Sequence, residues 1–237
     1  MTGVVLAAGK GSRLGTYTTA LPKSLLPLND EGLSLLDFNL CLLSKFDLEK
    51  IIIVTGFQSE KIEAAASGYD KIEIVYNPFW DSCNVLGSLY MALDKINDDF
   101  LFLHADTLME EKAWELLINQ ESGDMILPYD AKACGEEEMK VLITEGKVTS
   151  ISKLFDPSLA DGEFVGIAKF KVSTLPYFKS KAERFFKDRK MHEYMEAVIQ
   201  SSIDDNVFDI RPLDISEYRF VEVDFVEDYL RAKQLFG

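Results

Sequence analysis

Short apolar runs alternate with amphipathic stretches along the first half of the chain. The runs are four or five residues long, and several are rich in β-branched side chains, as in strands that are buried on both faces. They lie at positions 4–8, 51–55, 72–76 and 100–103. Leucines recur at helical spacing after positions 35 and 85, and residues 58–67 form a further helical pattern. This alternation predicts a mostly parallel sheet with helices on both faces.

The second half of the chain has a different pattern. Two segments, 139–143 and 148–152, flank Glu145-Gly146-Lys147 and predict a β-hairpin. Further strands are predicted at 163–170, 208–213 and 220–223, and helices at about 175–187, at 191–203 and from Phe225 to Phe236. No internal repeat and no linker rich in Gly, Pro or Ser interrupts the pattern. We therefore expect a single α/β domain over residues 1–237, with a mixed sheet and an inserted hairpin region.

The charge of the chain is strongly acidic. Its 237 residues include 40 acidic and 25 basic ones, giving a net charge of −15. Nucleic acid and anionic membrane surfaces are therefore unfavourable partners, whereas a local basic pocket still suits a small anion. The three cysteines form no CxxC pair and there are only two histidines, so we expect a reducing, cytoplasmic setting and no structural zinc. No apolar run reaches the roughly 18 residues of a transmembrane helix.

The first chemical signal is a glycine-rich turn that directly follows the first predicted strand. Its sequence is Leu6-Ala7-Ala8-Gly9-Lys10-Gly11-Ser12-Arg13-Leu14, with Pro22-Lys23 further on. Glycines allow backbone N–H groups to approach a phosphate chain, and Arg13 and Lys23 add the positive charge that phosphoryl oxygens require. The spacing matches neither the dinucleotide GxGxxG motif nor a P-loop. The alternative is an ordinary strand-to-helix turn with two surface cations.

Two carboxylates are predicted at strand ends. Asp106 closes the run His104-Ala105-Asp106 and Asp224 closes Glu222-Val223-Asp224. Acids at the carboxyl ends of strands point into the ligand crevice of an open α/β sheet, where they can share a hard cation such as Mg²⁺. As alternatives, Asp106 caps a helix starting near Met109 and Asp224 caps the last helix. Asn84 and Ser88 are a weaker signal, one turn apart at a helix start, and capping explains them equally well.

These segments together resemble the nucleotidyltransferase superfamily that makes nucleotide-activated sugars and phospho-alcohols, in order and over nearly the whole chain. The resemblance is strongest to the phosphocholine cytidylyltransferases and their phosphonate-activating relatives, through the segments 77–88, 139–153 and 162–168. It implies a Rossmann-like (GT-A type) fold, with a nucleotide-binding half at about 1–130 and an acceptor-binding region with a closing strand and helix at about 131–237. It also implies Mg²⁺ as the cofactor, CTP as the nucleotide, and a small phosphate or phosphonate as the acceptor.

The resemblance assigns a role to each candidate residue. Lys23, Arg13, Asp106 and Asp224 are the expected catalytic residues, and the two aspartates are the expected metal ligands. Lys153 and Glu163 fall on the acceptor side. The expected nucleotide-binding residues are Leu6, Ala7, Ala8, Gly9, Gly11, Ser12, Arg13, Lys23, Asn84, Ser88 and Asp106.

Several alternatives stay open at this level. The segment 135–139 contains Glu136, Glu137 and Glu138 but no tryptophan, so the aromatic box that binds quaternary ammonium by cation–π contact is not evident and choline is in doubt. The acidic run either meets an amine or amino-acid acceptor or is a solvated loop. A sugar-1-phosphate nucleotidyltransferase that uses UTP or dTTP, and an inactive nucleotide-binding subunit, are the rival functions. We expect a monomer or a homodimer, and His104 as a packed strand residue.

Overall fold

The computed structural model describes all 237 residues. Its strands are β1 (Thr2–Ala7), β2 (Lys50–Thr55), β3 (Ile72–Tyr76), β4 (Phe100–His104), β5 (Thr107–Met109), β6 (Met125–Asp130), β7 (Lys140–Thr144), β8 (Lys147–Ser152), β9 (Gly162–Phe164), β10 (Ile167–Phe170), β11 (Ile210–Asp214) and β12 (Phe220–Glu222). The helices are α1 (Leu35–Leu43), α2 (Ser59–Ala66), α3 (Val85–Leu93), α4 (Glu111–Asn119), α5 (Leu175–Lys187), α6 (Met195–Asp204) and α7 (Val226–Phe236). None of these helices has the length and apolarity that crossing a membrane requires.

A ten-stranded mixed sheet organises the fold, with the order β3-β2-β1-β4-β10-β6-β9-β7-β8 and β11 paired to β6. The first four strands of this order pair in parallel, as the apolar runs predicted. From β10 onward the pairs along this order are antiparallel, and only β11 adds a further parallel pair. The Rossmann-like mixed sheet with helices on both faces is therefore confirmed.

Successive residues of the central strands face opposite layers of the core. Val4 packs with Leu86 and Phe102 in a cluster that includes side chains of α3, α5 and α6. Val5 packs with Leu36 and other side chains of α1, α2 and α4 on the other face of the sheet. Since both faces are covered, the strands read as continuous apolar runs rather than as alternating ones.

The structure differs from the prediction at three places in the second half. The single strand predicted at 163–170 is two strands, because Gly166 takes a left-handed conformation with φ of 74° and turns the chain between β9 and β10. Strand β6 was not predicted. Helix α6 begins at Met195 rather than near residue 191, which leaves the preceding segment free to line a cleft.

A two-stranded ribbon outside the main sheet holds two distant segments of the chain together. Strands β5 and β12 pair antiparallel outside the main sheet, with Glu222 opposite Thr107. Beyond this ribbon, the backbone N–H of Val223 donates to the carbonyl of Asp106 over 3.0 Å. The ribbon thereby brings the end of β4 and the segment before α7 together, although they are more than a hundred residues apart in sequence.

Candidate active site

A cleft of about 860 Å³ opens at the carboxyl ends of β1 and β4. Most of the predicted site residues line it, namely Gly11, Ser12, Arg13, Lys23, Asn84, Asp106, Lys153, Glu163 and Asp224. A smaller adjoining cleft of about 160 Å³ is lined by Leu6, Ala7 and Gly9 and shares Gly11, Lys23 and Asp106 with the first. The folded chain thus gathers residues from both ends of the sequence around one open space.

The glycine-rich turn brings its backbone close to Lys23. Gly11 has φ of 71°, in the left-handed region, and a Cβ placed on it would lie 2.6 Å from the Cβ of Lys23. Only glycine fits this position without displacing the lysine. Close packing against Lys23 is therefore one structural reason for glycine at position 11.

Lys23 is the centre of an ion-pair network. Its Nζ lies 2.6 Å from Oδ2 of Asp106 and 2.8 Å from Oδ1 of Asp224, while Nη1 of Arg13 lies 3.2 Å from Oδ2 of Asp224. Burial disfavours the ammonium form of Lys23, but the two carboxylates outweigh that effect and raise its pKa. In turn, burial raises the pKa of Asp224, but the nearby Lys23 outweighs burial and lowers it. Both side chains therefore stay charged at neutral pH.

Neither aspartate serves as a helix cap. The residues after Asp106 form strand β5, and helix α4 begins only at Glu111. Helix α7 has Phe225 as its N-cap residue, and the carboxylate of Asp228 accepts from the backbone N–H groups of Asp224 and Phe225. The capping alternatives for both aspartates are wrong, and their side chains face Lys23 instead.

Asp106 is the side chain of this network with an oxygen available to bind a metal cation. Its Oδ1 is buried and has no hydrogen-bond partner, while both oxygens of Asp224 are engaged by Lys23 and Arg13. An orphaned buried carboxylate oxygen fits a hard divalent ion. Ligand atoms of His104, Asp106 and Glu222 also lie within 4.8 Å of one another.

His104 lies beside Asp106 and contacts Glu222. Its Nδ1 lies 3.6 Å from Oε1 of Glu222. Burial opposes the charged imidazolium, but Glu222 and then Asp106 and Glu196 outweigh it and raise the pKa of His104 to about 9. Contact with Glu222 therefore favours the imidazolium form of His104, and its buried Nε2 has no hydrogen-bond partner.

Both residues predicted for acceptor binding, Lys153 and Glu163, line the cleft. Glu163 pairs with Lys132 over 2.6 Å, and burial raises its pKa despite that contact. Lys153 lies over the ring of Tyr194, with 5.6 Å between its Nζ and the ring centroid. This part of the cleft therefore places cationic side chains next to acidic ones.

Lys140 organises the loop that enters this side of the cleft. It is fully buried, and its Nζ lies within 2.7–3.3 Å of four backbone carbonyl oxygens. They belong to Gly135, Glu136, Glu138 and Lys153. One buried ammonium group thus ties the acidic loop to the segment that bears Lys153.

Three predicted nucleotide-binding residues have structural contacts of their own. Asn84 caps α3 by accepting from Val85 N–H over 2.9 Å, yet it also lines the cleft. Ser88 is buried and its hydroxyl accepts from Nδ2 of Asn77 over 3.0 Å, and Ala8 accepts from the N–H of Phe57. Neither Ser88 nor Ala8 lines the two clefts.

Sequence reasoning missed Glu196. It lies in the first turn of α6, is 6% exposed, lines the cleft and has a buried Oε2 without a partner. Its position inside an amphipathic helical pattern gave no signal, because the pattern does not show that α6 starts beside the cleft. Glu222 was noted only as a neighbour of Asp224, and alternation along β12 accounts for its side chain entering the same space.

Comparisons with known proteins agree with this architecture. The MobA-like NTP transferase domain matches residues 3–160. The choline-phosphate cytidylyltransferase of Haemophilus influenzae is 28% identical over 166 residues, which are 69% of this chain and 68% of that protein. The CMP-5'-(3-aminopropyl)phosphonate synthase of Streptomyces rubellomurinus is 33% identical over 117 residues, which are 48% of this chain but only 18% of that protein. The inositol-1-phosphate CTP transferase of T. maritima shares the fold, with a TM-score of 0.80 at 19% identity over 98% of this chain and 94% of that one.

Proposed function

Since the chain belongs to the MobA-like NTP transferase domain family, we propose that it is a magnesium-dependent cytidylyltransferase that transfers CMP from CTP to a small phosphate or phosphonate. That the chain is a nucleotidyltransferase follows from the family, and the resemblance read from the motifs is confirmed. The choice of CTP rests on the relatives, which include choline-phosphate and aminopropylphosphonate enzymes.

One observation carries the proposal: Lys23 bridges the carboxylates of Asp106 and Asp224 at the mouth of a glycine-rich turn. A phosphoryl-transfer site needs cationic side chains beside acids that can hold a metal ion. It also needs backbone N–H groups that donate hydrogen bonds to a phosphate chain. The cleft combines these elements with Arg13 at its rim. This mutual contact of two cations and two strand-end acids supports a catalytic site over an inactive nucleotide-binding subunit.

The proposed reaction is an in-line displacement at the α-phosphorus. An oxygen of the acceptor phosphate or phosphonate attacks the α-phosphorus of CTP, a new P–O bond forms, and the bond to the β-phosphate oxygen breaks so that pyrophosphate leaves. The acceptor oxygen is already anionic at neutral pH, so no general base is required. The chain's contribution is positioning and neutralisation of charge.

Each residue then has a defined task. Arg13 and the backbone of the glycine-rich turn bind the β- and γ-phosphates, and Lys23 stabilises the negative charge that grows around the α-phosphate. Asp106 and Asp224 would hold Mg²⁺, which when bound supplies charge neutralisation to the phosphates. For Asp224 to hold Mg²⁺, one of its oxygens would exchange a cationic partner, Lys23 or Arg13, for the metal. Lys153 orients the acceptor.

Pyrophosphate release tests the proposal. Purified protein is incubated with Mg²⁺ and each of CTP, UTP, ATP, GTP and dTTP, against a panel of small phosphates, phosphonates and sugar 1-phosphates. We expect release with CTP and a small phosphate or phosphonate, and its loss when Asp106 is changed to Asn. Release with UTP or dTTP and a sugar phosphate would instead establish the sugar-activating alternative. If Asp106→Asn kept normal turnover, the metal assignment would be wrong.

A further inference from the structure

A buried asparagine lies on the apolar face of α1. Asn39 is completely buried. The other buried residues of this helix are all leucines, namely Leu35, Leu36, Leu40, Leu42 and Leu43. A polar side chain among them costs free energy unless its hydrogen-bonding groups find partners. Since the leucines account for the packing of α1, the reason for an amide at position 39 lies in its own contacts.

Both hydrogen bonds of Asn39 reach the backbone beside Asp106. Its Nδ2 donates to the carbonyl oxygen of Ala105 over 3.2 Å and to that of Thr107 over 3.2 Å. These carbonyls belong to the residues directly before and after Asp106. Both partners are acceptors, so only the NH₂ end of the amide can bind them, and both of its N–H bonds are used. We call this pair of hydrogen bonds the Asn39 clasp.

The clasp completes a set of backbone contacts around Asp106. The N–H of Ala105 donates to the carbonyl of Leu6 over 2.9 Å, and the carbonyl of Asp106 accepts from the N–H of Val223 over 3.0 Å. Because Asp106 is bonded to the β12 side in this way, the next residue, Thr107, directs its carbonyl away from β12 and toward α1. With the clasp, the carbonyls of three consecutive residues all have partners.

The clasp bears on the direction of a carboxylate. Oδ2 of Asp106 lies 2.6 Å from Nζ of Lys23, whereas its Oδ1 is buried and has no hydrogen-bond partner. The backbone at residue 106 therefore sets where Oδ1 points, and Asn39 holds the peptide groups on both sides of it. Rotation of either peptide group would turn the carboxylate. A functional side chain has to stay within about 0.5 Å of its productive geometry.

We propose that Asn39 is a positioning residue, which holds the carboxylate of Asp106 in the orientation that metal binding and CMP transfer require. This inference rests on the proposed function, in which Asp106 binds Mg²⁺. Asn39 lines neither cleft, so it acts only through the backbone of residues 105–107. Loss of such an outer partner of a metal ligand typically lowers metal affinity or activity by about 10–100-fold.

Removing the amide separates positioning from stability. Asn39→Leu keeps a similar side-chain size and removes both donors. Lys169→Met is the matched control, because Nζ of Lys169 also donates to two backbone carbonyls, over 2.6 and 2.8 Å, and Lys169 lines neither cleft. Mn²⁺ affinity is measured by electron paramagnetic resonance in the presence of α,β-methylene-CTP, from which CMP cannot be transferred. Steady-state transfer is measured separately with CTP and Mg²⁺.

We expect both variants to have a lower Tm than the unmodified protein. Asn39→Leu should also weaken Mn²⁺ binding and lower kcat by about 10–100-fold, with the KM for the acceptor unchanged, because the clasp holds Asp106 and does not touch the acceptor. Lys169→Met should keep the Mn²⁺ affinity and the kcat of the unmodified protein. Normal Mn²⁺ affinity in folded Asn39→Leu, or an equal loss in both variants, would overturn the inference.

A measurement on the unmodified protein covers the case in which Asn39→Leu does not fold. In protein labelled with ¹⁵N, the side-chain N–H protons of Asn39 should exchange slowly with solvent, because both are buried and hydrogen-bonded. Their chemical shifts should change when Mg²⁺ and α,β-methylene-CTP bind, because the clasp is joined to Asp106. Rapid exchange or unchanged chemical shifts would overturn the inference.

The same measurements distinguish failure of this inference from failure of the proposed function. Transfer by the unmodified protein that Asn39→Leu retains in full refutes the positioning role and leaves the reaction intact. Mn²⁺ binding that depends on Asn39, without transfer to any acceptor supplied, supports the positioning role and refutes the reaction. Absence of Mn²⁺ binding by the unmodified protein refutes both.

Discussion

Replacing Lys23 by methionine removes the one positive charge that joins Asp106 and Asp224. Methionine has a similar length and no charge, so the change tests the ammonium group and leaves the side-chain volume nearly unaltered. We expect turnover to fall by about 100- to 1000-fold, the loss seen when one preorganised electrostatic donor is deleted.

The effect on stability follows from the distances. At 2.6 and 2.8 Å, each ion pair has a gross attraction of about 6 kcal/mol at an effective dielectric constant near 20, most of which offsets the desolvation of Lys23. Removing one partner of a fully buried pair costs about 3–5 kcal/mol. The side chain of Asp224 is 39% exposed and therefore screened by water. We therefore expect Lys23→Met to lower the free energy of unfolding by about 2 kcal/mol, which corresponds to a fall in Tm of about 4–8 °C.

Differential scanning calorimetry with and without Mg²⁺ checks the reasoning. Without Lys23, the two carboxylates are free to bind a divalent ion, so Mg²⁺ should raise the Tm of Lys23→Met more than that of the unmodified protein. Lys112→Met is the matched control, since Lys112 is exposed, forms no ion pair and lines neither cleft. Normal turnover in Lys23→Met, or an identical response of both proteins to Mg²⁺, would refute the role given to Lys23.

Three further changes test other parts of the account. Gly11→Ala forces a Cβ to within 2.6 Å of Lys23 at a left-handed φ, so we expect turnover to collapse and the Tm to fall, whereas Gly68→Ala, with open space around it, has little effect in the same assays. Lys140→Met removes the donor that contacts four backbone carbonyl oxygens, so we expect the free energy of unfolding in urea to fall by about 1–3 kcal/mol. It should also raise the KM for the acceptor more than the KM for CTP; an unchanged acceptor KM would contradict a role of Lys140 in shaping the cleft. For Glu196→Gln, burial raises the folded-state pKa above the unfolded value of about 4.3, so unmodified protein loses stability relative to the variant as pH rises above that value. The two proteins should have the same Tm near pH 4, and the variant should have the higher Tm by pH 7; a lower Tm of the variant at pH 7 would contradict the raised pKa of Glu196.

The parallel part of the fold was readable from the sequence because each central strand is buried on both faces. Residues such as Val4 and Val5 both face apolar layers, so their strand appears as an uninterrupted apolar run. The antiparallel part is less regular. Gly166 splits one predicted strand into two, since a left-handed residue is not distinguishable in sequence from an ordinary strand glycine.

The candidate site was predictable where its residues follow strand ends. Asp106 and the glycine-rich turn occupy such positions, and the chain brings them together with Lys23 and Asp224. Glu196 was not predictable, because its role depends on where α6 starts relative to β12. That relation arises from packing between distant segments, which local periodicity does not encode.

Isotope transfer from CTP tests the central claim most directly. The protein is incubated with Mg²⁺ and each of a panel of small phosphates and phosphonates, in parallel with CTP labelled at the α-phosphate and CTP labelled at the γ-phosphate, and the products are separated. Nucleotidyl transfer predicts that the α-label appears in a CMP–acceptor conjugate while the γ-label leaves entirely as pyrophosphate. Appearance of the γ-label in the acceptor, or absence of α-label from every phosphorylated or phosphonylated acceptor supplied, would contradict the account.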